Sequence, residues 1–228
     1  MTQNTATPQR RYTDLSPRES HDKNAVARIK ADAQIQRRAT DELLAKRFTK
    51  ADAPEVLLDE EKQFEPNELI ISRTDVRGTI TYCNDIFAKM SGWRKEELLG
   101  SNHNLIRHPD MPRIAYQLAW DIIKDKKEFY GYVKNLRKNG GFYWVFAYIT
   151  ADVDEEGEIV GYTSYRRFAP KVAVQAMEPI YKLLLKAELQ SGMEASQALL
   201  EQYLKKKGFA SYDQFIVDLQ VRANASMN

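Results

Sequence analysis

Residues 142–151 read Phe-Tyr-Trp-Val-Phe-Ala-Tyr-Ile-Thr-Ala, and as a strand they are apolar on both faces. Side chains alternate along a strand, so Phe142, Trp144, Phe146 and Tyr148 share one side, and Tyr143, Val145, Ala147 and Ile149 the other. A sheet with one wet face alternates apolar with polar residues. This strand therefore belongs inside a sheet that is covered twice. Helices of its own domain supply one cover. The other falls to a flanking helix or a second copy of the chain.

The residues around this strand complete a compact pattern. Leu69–Thr74 is a short apolar strand, Asp75-Val76-Arg77-Gly78 a turn, and Thr79–Cys83 the returning strand of a hairpin. Asn84 or Asp85 caps a short helix, Ile86–Ser91, stopped by Gly92; Arg94–Leu99 is another, closed by Gly100. Arg113–Lys124 repeats apolar residues at helical spacing. Three strands follow, Phe129–Arg137, Phe142–Ala151 and Glu158–Phe168, separated by Lys138-Asn139-Gly140-Gly141 and Asp154-Glu155-Glu156-Gly157. Two strands, helices and three strands predict an α+β domain: a five-stranded antiparallel sheet with helices on one face.

The flanks differ in kind. Residues 1–22 are polar, with Pro8 and Pro17, and read as a flexible tail. Residues 23–67 hold an N-terminal helix, about Asn24 to Phe48, with a thin apolar stripe, and then a linker over 49–67. The α+β domain spans 68–169. Residues 170–228 form a C-terminal helical region with breaks at Gly192 and Gly208. It reads either as an appendage packed on the sheet or as a dimerisation or signal-output element.

A second stretch carries the chemistry: Asn102-His103-Asn104-Leu105-Ile106-Arg107-His108-Pro109-Asp110-Met111-Pro112. Two prolines shape this loop. Asp110 is placed to cap the helix that follows, with Met111 and Pro112 in its first turn. A cationic loop entering a helix N-terminus suits an anionic group, above all a phosphate. The alternative is a surface turn with solvated charges.

The rest of the chain narrows the classes. With 34 basic and 32 acidic residues interleaved, the net charge is +2; no segregated basic face points to nucleic acid. One cysteine, Cys83, suggests a reducing compartment. No apolar run reaches membrane-spanning length and no signal-peptide core is present, so a soluble cytoplasmic protein without membrane insertion is expected. Nucleophile elbows, Walker loops, zinc-type cysteine pairs and dinucleotide glycine fingerprints are missing. Neither catalytic nor metal-ligating residues are assigned. An aromatic-rich domain with a polar loop points instead to a binding pocket.

Several motifs carry a family likeness: Tyr82-x-Asn84-Asp85-x-Phe87, Ser91-Gly92-Trp93 with Glu96-Glu97-Leu98-x-Gly100, His103-Asn104-x-x-Arg107-His108-Pro109-Asp110-Met111-Pro112, Val133-Lys134-Asn135-x-Arg137-Lys138-Asn139-Gly140, Tyr143-Trp144-Val145, and Gly161-Tyr162 with Ser164. Residues 68–169 thereby resemble a PAS sensor domain, and more closely the flavin-binding PAS domain of bacterial aerotaxis (energy-taxis) receptors.

The resemblance implies non-covalently bound FAD and redox sensing, not turnover. It places His103, Asn104, Arg107 and His108 in a flavin-binding loop, with the arginine suited to the pyrophosphate. Asp110 either fixes that loop or meets the ligand. Asn84 and Asn135 resemble pocket-facing amides, Tyr116 and Trp120 wall the ring, and Arg166 faces inward. By alternation Val145, Ala147 and Ile149 share the pocket side with Asn135, which leaves Trp144, Phe146 and Tyr148 outward, toward a flanking helix or a partner. The alternatives are haem, ligated by His103 or His108, and a cofactor-free dimerisation adaptor. Cysteine photochemistry is excluded, because the light-sensing relatives carry their cysteine near the Asn104 position whereas Cys83 lies in a strand. The known receptors continue into membrane-anchoring and methyl-accepting regions, so a freestanding sensor is expected, either signalling to a separate chemotaxis transducer or acting as a homodimer.

Overall fold

A computed structural model describes Pro54 and residues 56–226. The expected tail over 1–22 and helix over Asn24–Phe48 lie outside the described residues. The elements run β1 (Ile70–Thr74), β2 (Ile80–Cys83), α1 (Asp85–Ser91), α2 (Lys95–Leu98), a 3-10 turn (His103–Ile106), α3 (Arg113–Lys124), β3 (Phe129–Leu136), β4 (Phe142–Val153), β5 (Ile159–Phe168), α4 (Lys171–Ser191), α5 (Met193–Lys207) and α6 (Tyr212–Ala225). The sheet is five-stranded and antiparallel in the order β2-β1-β5-β4-β3.

Local chemistry sets the boundaries. In the first hairpin the Asp75 carboxylate accepts from the backbone N–H of Arg77 (2.9 Å) and Thr79 (2.8 Å), while Gly78 takes the positive φ of 81° that the turn requires. Asn84, rather than Asp85, is the cap of α1: its side-chain oxygen accepts from Phe87 N. Helix α3 begins at Arg113 with Pro112 as cap residue, and Asp110 does not cap it. The Glu188 carboxylate, near the end of α4, does so instead. It accepts from Arg113 N (2.8 Å) and Ile114 N (2.7 Å) and satisfies two of the donors that a helix start leaves open.

The stretch read as linker is ordered against the domain from residue 58 onward. Leu58 N donates to Gly140 O (2.8 Å), Phe142 N to Glu60 O (2.9 Å) and Lys62 N to Phe142 O (2.7 Å), a short parallel pairing at the start of β4. Gly140, at φ 93°, is needed there, because a Cβ would stand 2.1 Å from the Val56 carbonyl oxygen.

The core forms two clusters. One packs Phe87, Met90, Trp93, Leu98 and Ile106 on the inner face of the sheet. The other joins α3, β3 and the C-terminal helices through Ile114, Ile123, Phe129, Tyr181, Leu184 and Phe215. Strand β4 is covered twice, as its sequence requires. Trp144 is 5% exposed and its ring stacks on Tyr181 of α4, with centroids 6.4 Å apart and planes 4° apart. Trp144 is therefore not presented to a partner, since the chain's own helix takes that position. Phe146 and Tyr148 remain partly exposed, in an aromatic row with Tyr130 and Tyr165.

Candidate ligand-binding site

Between the inner face of the sheet, α3 and the 102–107 loop lies a cavity of about 430 Å³, a size usual for small-molecule sites. Strand alternation delivers one wall: Ser72 from β1, Val133 and Asn135 from β3, Ala147 and Ile149 from β4, Ser164 and Arg166 from β5. Helix α3 supplies the facing wall with Ala115, Tyr116, Ala119 and Trp120, and the loop closes it with His103, Asn104, Ile106, Arg107 and Met111. The walls are mostly apolar, with a few polar groups converging at the β1–β5 end and at the mouth.

Arg166 dominates that end. It is 2% exposed, its guanidinium carbon lies 4.5 Å from the centre of the Phe87 ring, and one nitrogen donates to the Ser72 hydroxyl. Nε and Nη1 make no hydrogen bond among the described residues. Burial pushes its pKa from 12.5 down to about 10, so it is still charged at neutral pH. A buried cation with two open donors is expensive unless a ligand answers it. Ser72 also meets His103 Nε2 at 3.3 Å. Burial first, then the Arg166 charge, push His103 down to about 3.

Two further polar atoms of cavity-lining residues are buried with no hydrogen bond of good geometry among the described residues: Asn135 Nδ2, whose nearest polar neighbour is the Tyr143 hydroxyl, and the Tyr116 hydroxyl. Arg107 lies with its guanidinium 4.3 Å above the Tyr116 ring and a long contact to Met111 O (3.5 Å). Trp120 meets Tyr162 edge to face at 5.1 Å, and Asn104 is exposed at the mouth.

Of the ten residues expected at the site, seven line this cavity: His103, Asn104, Arg107, Tyr116, Trp120, Asn135 and Arg166. Three do not. Asn84 is committed to the backbone, accepting from Ile71 N (3.1 Å) and Phe87 N (3.2 Å) and donating to Leu69 O (2.7 Å). His108 is buried behind the loop, edge to face with Phe142 at 5.9 Å, and its Nδ1 accepts from Asp110 N (3.1 Å). Burial, then the Lys134 charge, push it down to about 4. Asp110 pairs with Lys134 Nζ at 2.6 Å, and the lysine's hydrogen bond and charge outweigh burial to lower its pKa. In the Lys134–Gly140 motif only Asn135 reaches the cavity. Arg137 donates to Met90 O (2.9 Å), Lys138 pairs with Glu97 (2.6 Å), and Asn139 accepts from Gly141 N.

Sequence reasoning missed Ser72, Ser164 and Tyr162, all of which line the cavity. The signal was available: Ile70, Ser72 and Thr74 share one face of an otherwise apolar strand, and a serine at an inward position marks a polar interior. It also missed Tyr181, which brings α4 to the cavity and donates its hydroxyl to Tyr132 O (2.7 Å).

A family model described as the PAS fold matches residues 80–166. Those residues form a PAS domain. The chain is 44% identical over 115 residues to the aerotaxis receptor of Escherichia coli, a match that covers 50% of this chain and 22% of that protein. It is 32% identical over 103 residues to the nitrogen fixation regulatory protein of Klebsiella pneumoniae, covering 45% of this chain and 21% of the other. The chain thus spans about a fifth of the length of these relatives. Among solved structures, a light-oxygen-voltage domain from work on a flavin analogue aligns at a TM-score of 0.43 and 23% identity, over 48% of this chain and 82% of that one. Among the described residues no helix is long and apolar enough to cross a membrane.

Proposed function

We propose that the PAS domain binds FAD non-covalently and acts as a redox sensor of the aerotaxis or energy-taxis kind, reporting oxygen or electron-transport state rather than turning over a substrate. One observation carries the reading: Arg166 is buried beside an apolar, ring-walled cavity with two donors unanswered. Asn135 Nδ2 and the Tyr116 hydroxyl add two more open groups. An isoalloxazine edge, rich in acceptors, suits these donors, and Tyr116 and Trp120 suit the flat faces of the ring. Arg107 at the mouth suits the pyrophosphate, which an arginine fork binds well. These fits agree with the motifs that resemble the flavin-binding receptors.

FAD supplies the electron chemistry. The chain's part is to bind and orient it, to exclude water with α3 and to hold a fixed positive charge at one end of the ring. Arg166 on β5, bonded to Ser72 on β1, would hold the ring's edge, so that a change in the ligand's charge would be felt by both strands. Helix α4 touches the cavity through Tyr181 and is the route we assign for output, to a separate transducer or to a second copy through Phe146 and Tyr148. A cytoplasmic location fits this role.

The test is titration of the ligand-free protein with FAD, followed by flavin fluorescence. The wild type is expected to bind stoichiometrically, and Arg166→Met and Asn135→Ala each to weaken binding at least tenfold while remaining folded. Equal binding by all three proteins would overturn the reading.

A further inference from the structure

Lys134 and Asn135 are neighbours on β3 that face opposite ways. Asn135 enters the cavity, whereas Lys134 is only 7% exposed on the far side. Its ammonium lies 4.1 Å from the centre of the Phe142 ring and 2.6 Å from an Asp110 oxygen. The loop carrying Asp110 straddles the edge of β3. Arg107 and Met111 line the cavity, while His108 and Asp110 sit behind it. The loop is fixed to β3 at three points: a backbone bridge from Arg107 to Asn135, a contact from Lys134 N to Met111 Sδ (3.4 Å), and the Lys134–Asp110 pair. The Asp110 N–H is in turn fixed by His108 Nδ1 (3.1 Å).

Stability alone does not account for a lysine here. An apolar chain of the same length would pack on Phe142 without desolvating a charge, and buried ion pairs seldom add net stability over such a replacement. Direction is what the pair adds. A charge-assisted bond fixes one geometry, and this one holds the back of a loop whose front presents Arg107.

We infer that Lys134 is a positioning residue: through Asp110 it sets the loop so that Arg107 meets the pyrophosphate of FAD, without itself touching the ligand. The inference rests on the flavin reading above, and it separates FAD from riboflavin, which has the ring but no phosphate.

The experiment measures affinity for FAD and for riboflavin in the full chain, with wild type, Lys134→Met, Arg107→Ala and the double variant, and records melting without ligand. Lys134→Met is expected to weaken FAD about tenfold, the scale of one misplaced charge-assisted contact, and to leave riboflavin affinity within about twofold. In the Arg107→Ala background Lys134→Met should add nothing. Asp110→Asn, at a half-exposed position, should reproduce the selective loss and decides the matter if Lys134→Met does not fold. FAD and riboflavin weakening together would make Lys134 merely structural and overturn the inference. So would unchanged FAD affinity, or a further loss in the Arg107→Ala background. A wild type that binds neither flavin removes the flavin reading and this inference with it. One that binds both flavins equally leaves the flavin reading standing and overturns this inference alone.

Discussion

Replacing Arg166 by methionine should make the ligand-free protein more stable and unable to hold FAD. Burial moves the guanidinium from 12.5 to about 10, and a pKa unit is worth about 1.4 kcal/mol, so folding disfavours the charged form by roughly 3 kcal/mol. Two contacts offset this. The cation over Phe87 contributes on the order of 1 kcal/mol, and the bond to Ser72 about 1 kcal/mol more. Ser72 keeps His103 as a partner when the arginine is gone. Methionine fills much of the same volume against Phe87 with no charge to desolvate. The balance is a gain of about 1 kcal/mol, which in a domain of this size raises the melting temperature by about 2–4 °C. Differential scanning fluorimetry of ligand-free wild type and variant reads this directly, and added FAD should then raise the wild-type melting point alone. A variant that melts several degrees lower, or that is still stabilised by FAD, would refute the argument that this charge is kept for a ligand.

Three other perturbations follow from the same geometry. His103 and His108 are held neutral when folded and take up protons near pH 6.5 when unfolded, so the unfolded state binds more protons in this window. Stability should be flat above about pH 6.5 and fall as the pH drops towards 4, with a slope approaching ~1.4 kcal/mol per pH unit for each histidine; denaturant titrations at pH 7, 6 and 5 test it, and a flat profile contradicts it. Asn84→Ala removes a cap and strands Ile71 N and Leu69 O, at a cost of about 2 kcal/mol, while the folded fraction should bind FAD with wild-type affinity; selective loss of FAD would return Asn84 to the site. Glu188→Ala uncaps α3 and should lower stability by about 1 kcal/mol, with faster amide exchange at Arg113 and Ile114; unchanged exchange there would dismiss the cap.

The sheet was legible because its signals are local. Alternation over β4, glycine-bearing turns and the helical period of α3 each act within a few residues, and α3 runs from Arg113 to Lys124 as its apolar spacing indicates. What sequence did not yield is long-range satisfaction of backbone and charge. Asp110 has the chemistry of a cap, but Glu188 reaches the helix start from 75 residues away, and Lys134, 24 residues on, claims the aspartate. The loop motif also misled by contiguity. Arg107 and His108 are adjacent, yet an extended backbone sends neighbouring side chains to opposite sides, so one enters the cavity and the other the core behind it. Asn84 illustrates a different limit, since a pocket amide and a capping amide look alike in sequence. Arg166 was legible from alternation together with the family likeness, but its lack of an acidic partner among the described residues was not.

The central claim is that this cavity holds a flavin, and the visible absorption spectrum of freshly purified protein, before and after dithionite, tests it most directly. The account predicts a flavin doublet that bleaches on reduction, with FAD released on denaturation. A colourless protein that takes up no added FAD, or a single intense Soret-type band that moves the assignment to haem, would contradict it.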